Sequence, residues 1–325
     1  MKLSICIPPG PDAIAIAQYA EKLGYDRIWL YDSVALYEDI WVHLALIAQA
    51  TKEIGLGTAV LVPDNRGVMT TASGIATIER LAPQRLACAF GTGYTGRRAM
   101  GQSQPLPWAH VKDYIQQLRS LLNGAVVSIN GNPCQMLHHQ DLSVARPIEV
   151  PLLISAFGQK GLAIAREIAD GWMGVSPPPN PFEMAVQMVN GTVLSEGEPA
   201  NSQRAIAALA PWTVGTYHMT WETNRGGLHD LPGGKAWLDV INQRAEDERH
   251  LSVHHSHLTA LNDADMAGMN SCNNTLPSFG WVGTADEIKA KAEDCFSAGT
   301  TDIMYTPVGP DIFRELRAFY TAVNP

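Results

Sequence analysis

Charge is in short supply in this chain: only 17% of its residues are Asp, Glu, Lys or Arg. What there is leans acidic, with 23 Lys plus Arg against 32 Asp plus Glu and a formal net charge of −9. An acidic surface of that size repels a phosphate backbone, so nucleic acid is not expected as a partner. Cysteine is scarcer still. The five, Cys6, Cys88, Cys134, Cys272 and Cys295, are widely spaced, odd in number and without a CxxC pair. That argues against a zinc knuckle and against a secreted disulfide framework. No charge-free run of about 18–20 apolar residues occurs, so no membrane span is expected. The opening stretch reaches Pro8-Pro9-Gly10 too soon for a signal peptide. A reduced, cytoplasmic protein is the expectation.

Several motifs are missing as well. The first strand is followed by Pro8-Pro9-Gly10-Pro11 instead of GxGxxG, which does not fit a dinucleotide-binding turn. No GxSxG is present, which disfavours a serine nucleophile. His250, His254, His255 and His257 cluster, but without HExxH or another recognised ligand spacing, so no metal site is expected.

What the chain does have is 325 residues, 46% of them hydrophobic, enough for two domains or one large barrel. Short apolar runs alternate with amphipathic segments from end to end. Residues 3–7, 26–30, 54–62, 86–90, 152–155, 171–175, 205–217 and 302–305 read as strands. Residues 12–23, 41–51, 69–81, 108–122, 161–168, 181–194, 285–298 and 310–323 read as helices. Continuous apolar strands indicate a parallel sheet covered on both faces, and eight repeats favour an α/β fold of the (β/α)8 TIM-barrel type. One domain, 1–325, is expected, with two excursions. Asn130-Gly131 between apolar residues predicts a β-hairpin near 125–137. A polar stretch near 220–280 reads as an insertion at the C-terminal rim.

Barrel chemistry sits at the C-terminal ends of the strands. The fourth strand exits as Gly91-Thr92-Gly93, with Arg97 and Arg98 close behind. Glycines there let the backbone approach a planar or phosphorylated ligand, while a tight turn with surface arginines would look the same. The fifth exits as Ser155-Ala156-Phe157-Gly158-Gln159-Lys160, straight into a helix, and reads as an anion site or as an ordinary capped loop. Asp32, after the second strand, is a candidate general base or ring N–H acceptor, or simply a cap. His218, taken to lie at the seventh strand's exit, is an acid–base candidate by location. His43, on an apolar helix, reads as a core or interface histidine.

The segments Ile54-Gly55-Leu56-Gly57-Thr58-Ala59-Val60, Ala76-Thr77-Ile78-Glu79-Arg80-Leu81-Ala82-Pro83-Gln84-Arg85-Leu86 and Phe90-Gly91-Thr92-Gly93 resemble the bacterial luciferase-like superfamily. The likeness is closest to its coenzyme F420 (deazaflavin)-dependent branch, typified by methylenetetrahydromethanopterin reductase. Pro151 to Ala156, Ala169 to Trp172 and Gly283 to Ile288 add to it.

The resemblance implies a barrel that binds a deazaflavin, or alternatively FMN, at the C-terminal rim. It also implies a non-proline cis peptide on the third strand, by position Ala59–Val60, bulging behind the cofactor's central ring. The loops Gly91–Gly93 and Ser155–Lys160 match family positions that contact the cofactor. Members often end the second strand in Ser-Asp-His, whereas this chain has Tyr31-Asp32-Ser33. A proton would then come from His218 or Tyr31, and Asp32, Ser33 and His218 form the candidate catalytic set.

The implied activity is hydride transfer between deazaflavin and a small organic substrate. An FMN-dependent monooxygenase and a non-catalytic flavin-binding barrel are the rival readings. By family analogy a homodimer or higher homo-oligomer is expected, with Trp41 and His43 near the contact.

Overall fold

Strand β1 (Lys2–Ile7) is buried from its second residue onward and starts a closed eight-stranded parallel barrel. The fold is that of a computed structural model, which describes residues 1–102, 104–139 and 141–324. The other barrel strands are β2 (Arg27–Leu30), β3 (Gly55–Leu61), β4 (Leu86–Phe90), β7 (Leu152–Ser155), β8 (Gly171–Gly174), β9 (Met184–Val189) and β12 (Asp302–Tyr305). They close in the order β1-β12-β9-β8-β7-β4-β3-β2. All five residues of β4 and all four of β8 and β12 are buried, as expected of strands covered on both faces.

Helices α1 (Ala13–Leu23), α2 (Ile40–Ala50), α3 (Val68–Leu81), α4 (Tyr94–Ala99), α5 (Trp108–Leu122) and α6 (Gln159–Ile168) follow the early strands. Apolar spacing decides which face each one buries: Ile16, Ala17 and Ala20 on α1, and Val111, Ile115, Leu118 and Leu122 on α5. The predicted hairpin is present as β5 (Val127–Ile129) and β6 (Asn132–Cys134). At its tip Asn130 and Gly131 have φ of 52° and 79°, the positive pair that a tight two-residue turn demands.

The chain groups into two compact units. The first, Met1–Gly96 with Gln104–Met188 and Cys295–Met304, holds nearly all of the barrel. Its interior is filled by Cys6, Trp29, Ala87, Ala89, Leu153, Met173, Val186 and Met304.

The second unit comprises Arg97–Ser103, Val189–Asp294 and Tyr305–Pro325. It contains a parallel pair of short strands, β10 (Gly191–Val193) and β11 (Trp281–Gly283). Its helices are α7 (Gln203–Ala207), α8 (Ala210–Thr213), α9 (Gly215–Thr223), α10 (Gly234–Ile241), α11 (Arg249–His254), α12 (Asp263–Ser271), all but the last three residues of α13 (Ala285–Ser297), and α14 (Ile312–Val323). Tyr217, Trp221, Trp237, Val253 and Met269 form its core.

Two sequence expectations are corrected. Residues 181–194, expected as a helix, are β9 and β10. Residues 205–217, expected as the seventh strand, lie in α7, α8 and α9. Met184-Ala-Val-Gln-Met-Val is too short an apolar run for its period to separate strand from helix. The alanine-rich 205–210 favours a helix, and Pro211 is tolerated because it sits in the first turn of α8. The polar stretch near 220–280 is thus preceded by α7 and α8 and not by a barrel strand. Among the described residues no helix is long and apolar enough to cross a membrane, and no group of three or more His, Cys, Asp or Glu could hold a metal ion.

Candidate active site at the barrel mouth

The C-terminal strand ends of the first unit bring together most of the residues singled out from sequence. Beyond β2, Tyr31 and Ser33 are half-buried and Asp32 is buried. The Tyr31 ring packs on the barrel interior and its phenol is hydrogen-bonded to the Cys6 thiol. Burial pushes both groups well above their ordinary values, so the phenol and the thiol stay protonated at neutral pH.

On β3 the Ala59–Val60 peptide is cis, at the bond that the family resemblance implied. The pairing of β3 with β4 shifts register between Thr58 and Leu61, and Ala59 and Val60 are left half-buried at the mouth. Gly91, at the end of β4, lies directly against them. Its N–H donates to the Leu61 carbonyl at 3.0 Å, and a Cβ placed on it would stand 2.8 Å from Val60 Cγ2. A methyl there would push the Val60 side chain aside. Thr92 is half-buried, with its carbonyl accepting from the Leu106 N–H at 2.8 Å, and Gly93 is buried.

Beyond β7, Ser155 is half-buried, and the buried Ala156 offers its carbonyl to Trp172 Nε1 at 2.8 Å. Phe157 is 67% exposed. Gly158 is the N-cap of the ten-residue α6 and provides no side-chain acceptor, so no side chain caps the first-turn amides. Gln159 and Lys160 are exposed in that turn. Uncapped amides and a neighbouring ammonium suit an anionic group. The half-buried bulge at Ala59 and Val60, with Gly91 packed against it, suits a flat one. The residues present thus fit a cofactor with a planar ring and an anionic tail.

Asp32 is held in a way that the sequence did not announce. Arg66, in the loop after β3, places Nη1 2.7 Å from both carboxylate oxygens and Nη2 2.7 Å from Asp39 Oδ2. Burial pushes the Asp32 carboxyl up from its ordinary value, and the Arg66 guanidinium opposes that rise. A cation among turn-forming residues at a strand exit, Pro63-Asp64-Asn65-Arg66-Gly67, was the available signal.

His218 is not at a strand exit. It sits on α9 in the second unit, 1% exposed, with Nε2 2.9 Å from Asp265 Oδ1 and Nδ1 2.6 Å from His257 Nδ1. Asp265 also accepts from Trp237 Nε1 at 2.9 Å and from the Asn262 N–H at 3.1 Å. Of the remaining clustered histidines, His254 reaches Glu222 at 3.0 Å and His255 is exposed. Arg98 is an ion-pair partner of the same Glu222, so its charge is already engaged.

Comparison with known proteins agrees with this geometry. The family model described as luciferase-like monooxygenase matches residues 7–302. The chain is 26% identical over 342 residues to a 5,10-methylenetetrahydromethanopterin reductase of Methanolobus tindarius, covering 98% of each chain. A reductase of the same name from Archaeoglobus fulgidus is 22% identical over 312 residues, covering 94% of this chain and 92% of that one. Among solved structures, the coenzyme F420-dependent tetrahydromethanopterin reductase of Methanopyrus kandleri superposes with a TM-score of 0.68 at 18% identity, covering 99% of this chain and 98% of that one. An F420-dependent secondary alcohol dehydrogenase holding an F420–acetone adduct gives 0.66 at 16% identity, covering 100% of this chain and 99% of that one. A barrel with a cis peptide at Ala59–Val60, matched by the family model over residues 7–302, belongs to the luciferase-like monooxygenase family.

Proposed function

We propose that this protein is a coenzyme F420-dependent oxidoreductase, moving a hydride between the deazaflavin and a small organic substrate. The observation that carries the reading is the pairing of two features at one barrel mouth. The half-buried cis-peptide bulge at Ala59 and Val60, packed on Gly91, stands beside a helix start at Gly158 to Lys160 that no side chain caps. The choice of deazaflavin over FMN is supported by end-to-end similarity to two reductases and by the F420-dependent structural neighbours.

When bound, the deazaflavin would supply a ring carbon that accepts or releases hydride. The chain's own residues do the rest. The α6 amides and Lys160 grip the anionic tail, and Ala59, Val60 and Gly91 support the ring. Phe157 offers exposed apolar area that helps exclude water. Ser33 follows Asp32 with its hydroxyl near Gly96, while the Tyr31 phenol remains a neutral donor tied to Cys6. This reading gives His218 no chemical step, because its ring nitrogens are both engaged inside the second unit.

The test is to titrate the purified protein separately with deazaflavin and with FMN, following fluorescence. Micromolar or tighter deazaflavin binding with none for FMN supports the reading. The reverse pattern, with oxygen uptake on reduced FMN, replaces it by a monooxygenase. Stoichiometric binding without turnover of any substrate replaces it by a binding protein. Gly91→Ala is expected to weaken cofactor binding about tenfold and to cost about 1–3 kcal/mol of stability, since the added methyl forces Val60 off its position. Unchanged affinity in that variant would show that this surface does not carry the ring. Self-association belongs to the same proposal: on α2, Val42 and Leu46 are 57% and 43% exposed beside Trp41. Sedimentation that gives a monomer would remove it.

A further inference from the structure

The mouth carries a charge arrangement whose purpose lies beyond holding a cofactor. Asp32 is an acid with a 2% exposed side chain at a strand exit, and burial of that kind favours the protonated form. Arg66 meets it from the loop after β3 with one nitrogen against both carboxylate oxygens, while its other terminal nitrogen reaches Asp39. The Arg66 main chain is itself anchored. The Arg66 carbonyl accepts from the Tyr114 hydroxyl at 3.0 Å, and that hydroxyl lies 2.6 Å from Thr71 Oγ1 on α3. Asp39 is anchored too, because its Oδ1 caps α2 by accepting from the Trp41 and Val42 N–H groups at 2.9 and 3.2 Å. One arginine therefore links the end of β2, the start of α2, the end of β3 and, through Tyr114, helix α5.

We propose that Arg66 is a positioning residue: it keeps the Asp32 carboxylate ionised and fixed beside Ser33, so that a bound deazaflavin always meets an anion at the β2 exit. The proposal rests on the cofactor reading above and names a residue which that reading does not use. The groups facing Asp32 are few. Arg66 supplies positive charge, Asp39 supplies negative charge from the α2 N-cap, Asn65 lies alongside, and Tyr114 faces the pair from α5. With Arg66 neutralised, Asp32 would keep a like-charged neighbour and its burial but lose its cation, and its affinity for a proton would rise.

The experiment measures deazaflavin affinity and, without cofactor, the melting temperature, from about pH 6 to about pH 9. The proteins are wild type, Arg66→Gln, Arg66→Lys and the double variant Asp32→Asn with Arg66→Gln. Wild type should be nearly flat. Arg66→Gln should lose affinity about tenfold at the acid end and regain most of it at the alkaline end, as the unpartnered carboxyl ionises. Arg66→Lys, whose single ammonium cannot span both acids, should show a smaller loss of the same sign at the acid end, and the double variant should be weak but independent of pH.

An Arg66→Gln profile parallel to wild type overturns the proposal, as does pH dependence that survives in the double variant. If Arg66→Gln does not fold, Arg66→Lys decides by itself: its single ammonium cannot span both acids, so a smaller shift of the same sign is expected and an unchanged profile refutes the role. If wild type binds no deazaflavin at any pH, the cofactor reading fails. The melting-temperature profiles of the apo proteins then still judge the clamp.

Discussion

Replacing Asp265 by alanine is expected to destabilise the protein by about 3–5 kcal/mol, the range for removing one member of a buried, hydrogen-bonded charge cluster. The carboxylate is 0% exposed and accepts from His218 Nε2, Trp237 Nε1 and the Asn262 N–H. Alanine would leave three buried donors without acceptors, each costing about 1–3 kcal/mol. It would also remove half of the reciprocal cap that starts α12.

The arrangement fixes protons as well. The carboxylate takes the Nε2 hydrogen of His218, so His218 Nδ1 must accept and His257 Nδ1 must donate across their 2.6 Å contact. Asparagine at 265 preserves one acceptor but turns an amide toward the Asn262 N–H, so its cost should be intermediate. Chemical denaturation followed by tryptophan fluorescence reads both variants, with Trp237 as a reporter inside the network. An alanine variant within about 1 kcal/mol of wild type would mean that this network is not what stabilises the second unit.

The other large effect concerns Asp302, at the start of β12 and wholly buried. Its Oδ1 accepts from Ser4 Oγ at 2.7 Å, and Ser4 Oγ in turn accepts from Trp29 Nε1 at 3.1 Å. Burial pushes this carboxyl up to about 6, against a partial pull downward from the Ser4 hydrogen bond and from Arg27. In the unfolded chain an aspartate titrates near 4, so the folded state binds the proton more tightly. The contribution to stability is therefore fully present below about pH 4 and is lost as pH rises through about 6. Some two pKa units correspond to about 3 kcal/mol.

Asp302→Asn keeps an acceptor for Ser4 and cannot ionise. It should match wild type near pH 4 and exceed it by up to about 3 kcal/mol near pH 8. His257 acts in the opposite sense: burial, helped by His218 and His254, lowers its basicity, so acid below about pH 6.5 should weaken the fold. Denaturation curves at several pH values separate the two, because only the alkaline limb should vanish in Asp302→Asn. An unchanged alkaline limb would place that titration elsewhere.

The sequence made the barrel legible where a strand's surroundings are uniform. Residues 86–90, 152–155 and 302–305 were bounded correctly because a strand buried on both faces is a plain apolar run between turn residues. It failed at 181–194 and 205–217, where short apolar runs fit either period. There the choice fell to partners distant in the chain, such as β10 pairing with β11 some 90 residues on. That error carried His218 with it, since its candidacy rested on a strand exit that is a helix.

At the mouth, glycines and a helix start are local signals, and Gly91 and Gly158 were readable for that reason. The Asp32 partnership with Arg66 joins residues 34 apart and depends on two loops meeting, which no local pattern encodes. The cis peptide at Ala59–Val60 came from resemblance alone, because neither residue type favours it.

The β5–β6 hairpin has a practical use. Its tip, Asn130-Gly131, is held by a turn that closes on itself, and the space above Gly131 is open for at least 4 Å. Because the tip lies on an excursion away from the barrel strands, a dye, an affinity handle or a short peptide grafted there should leave the catalytic scaffold intact. The hairpin is thus the natural anchoring point for attaching the protein to a surface or a sensor.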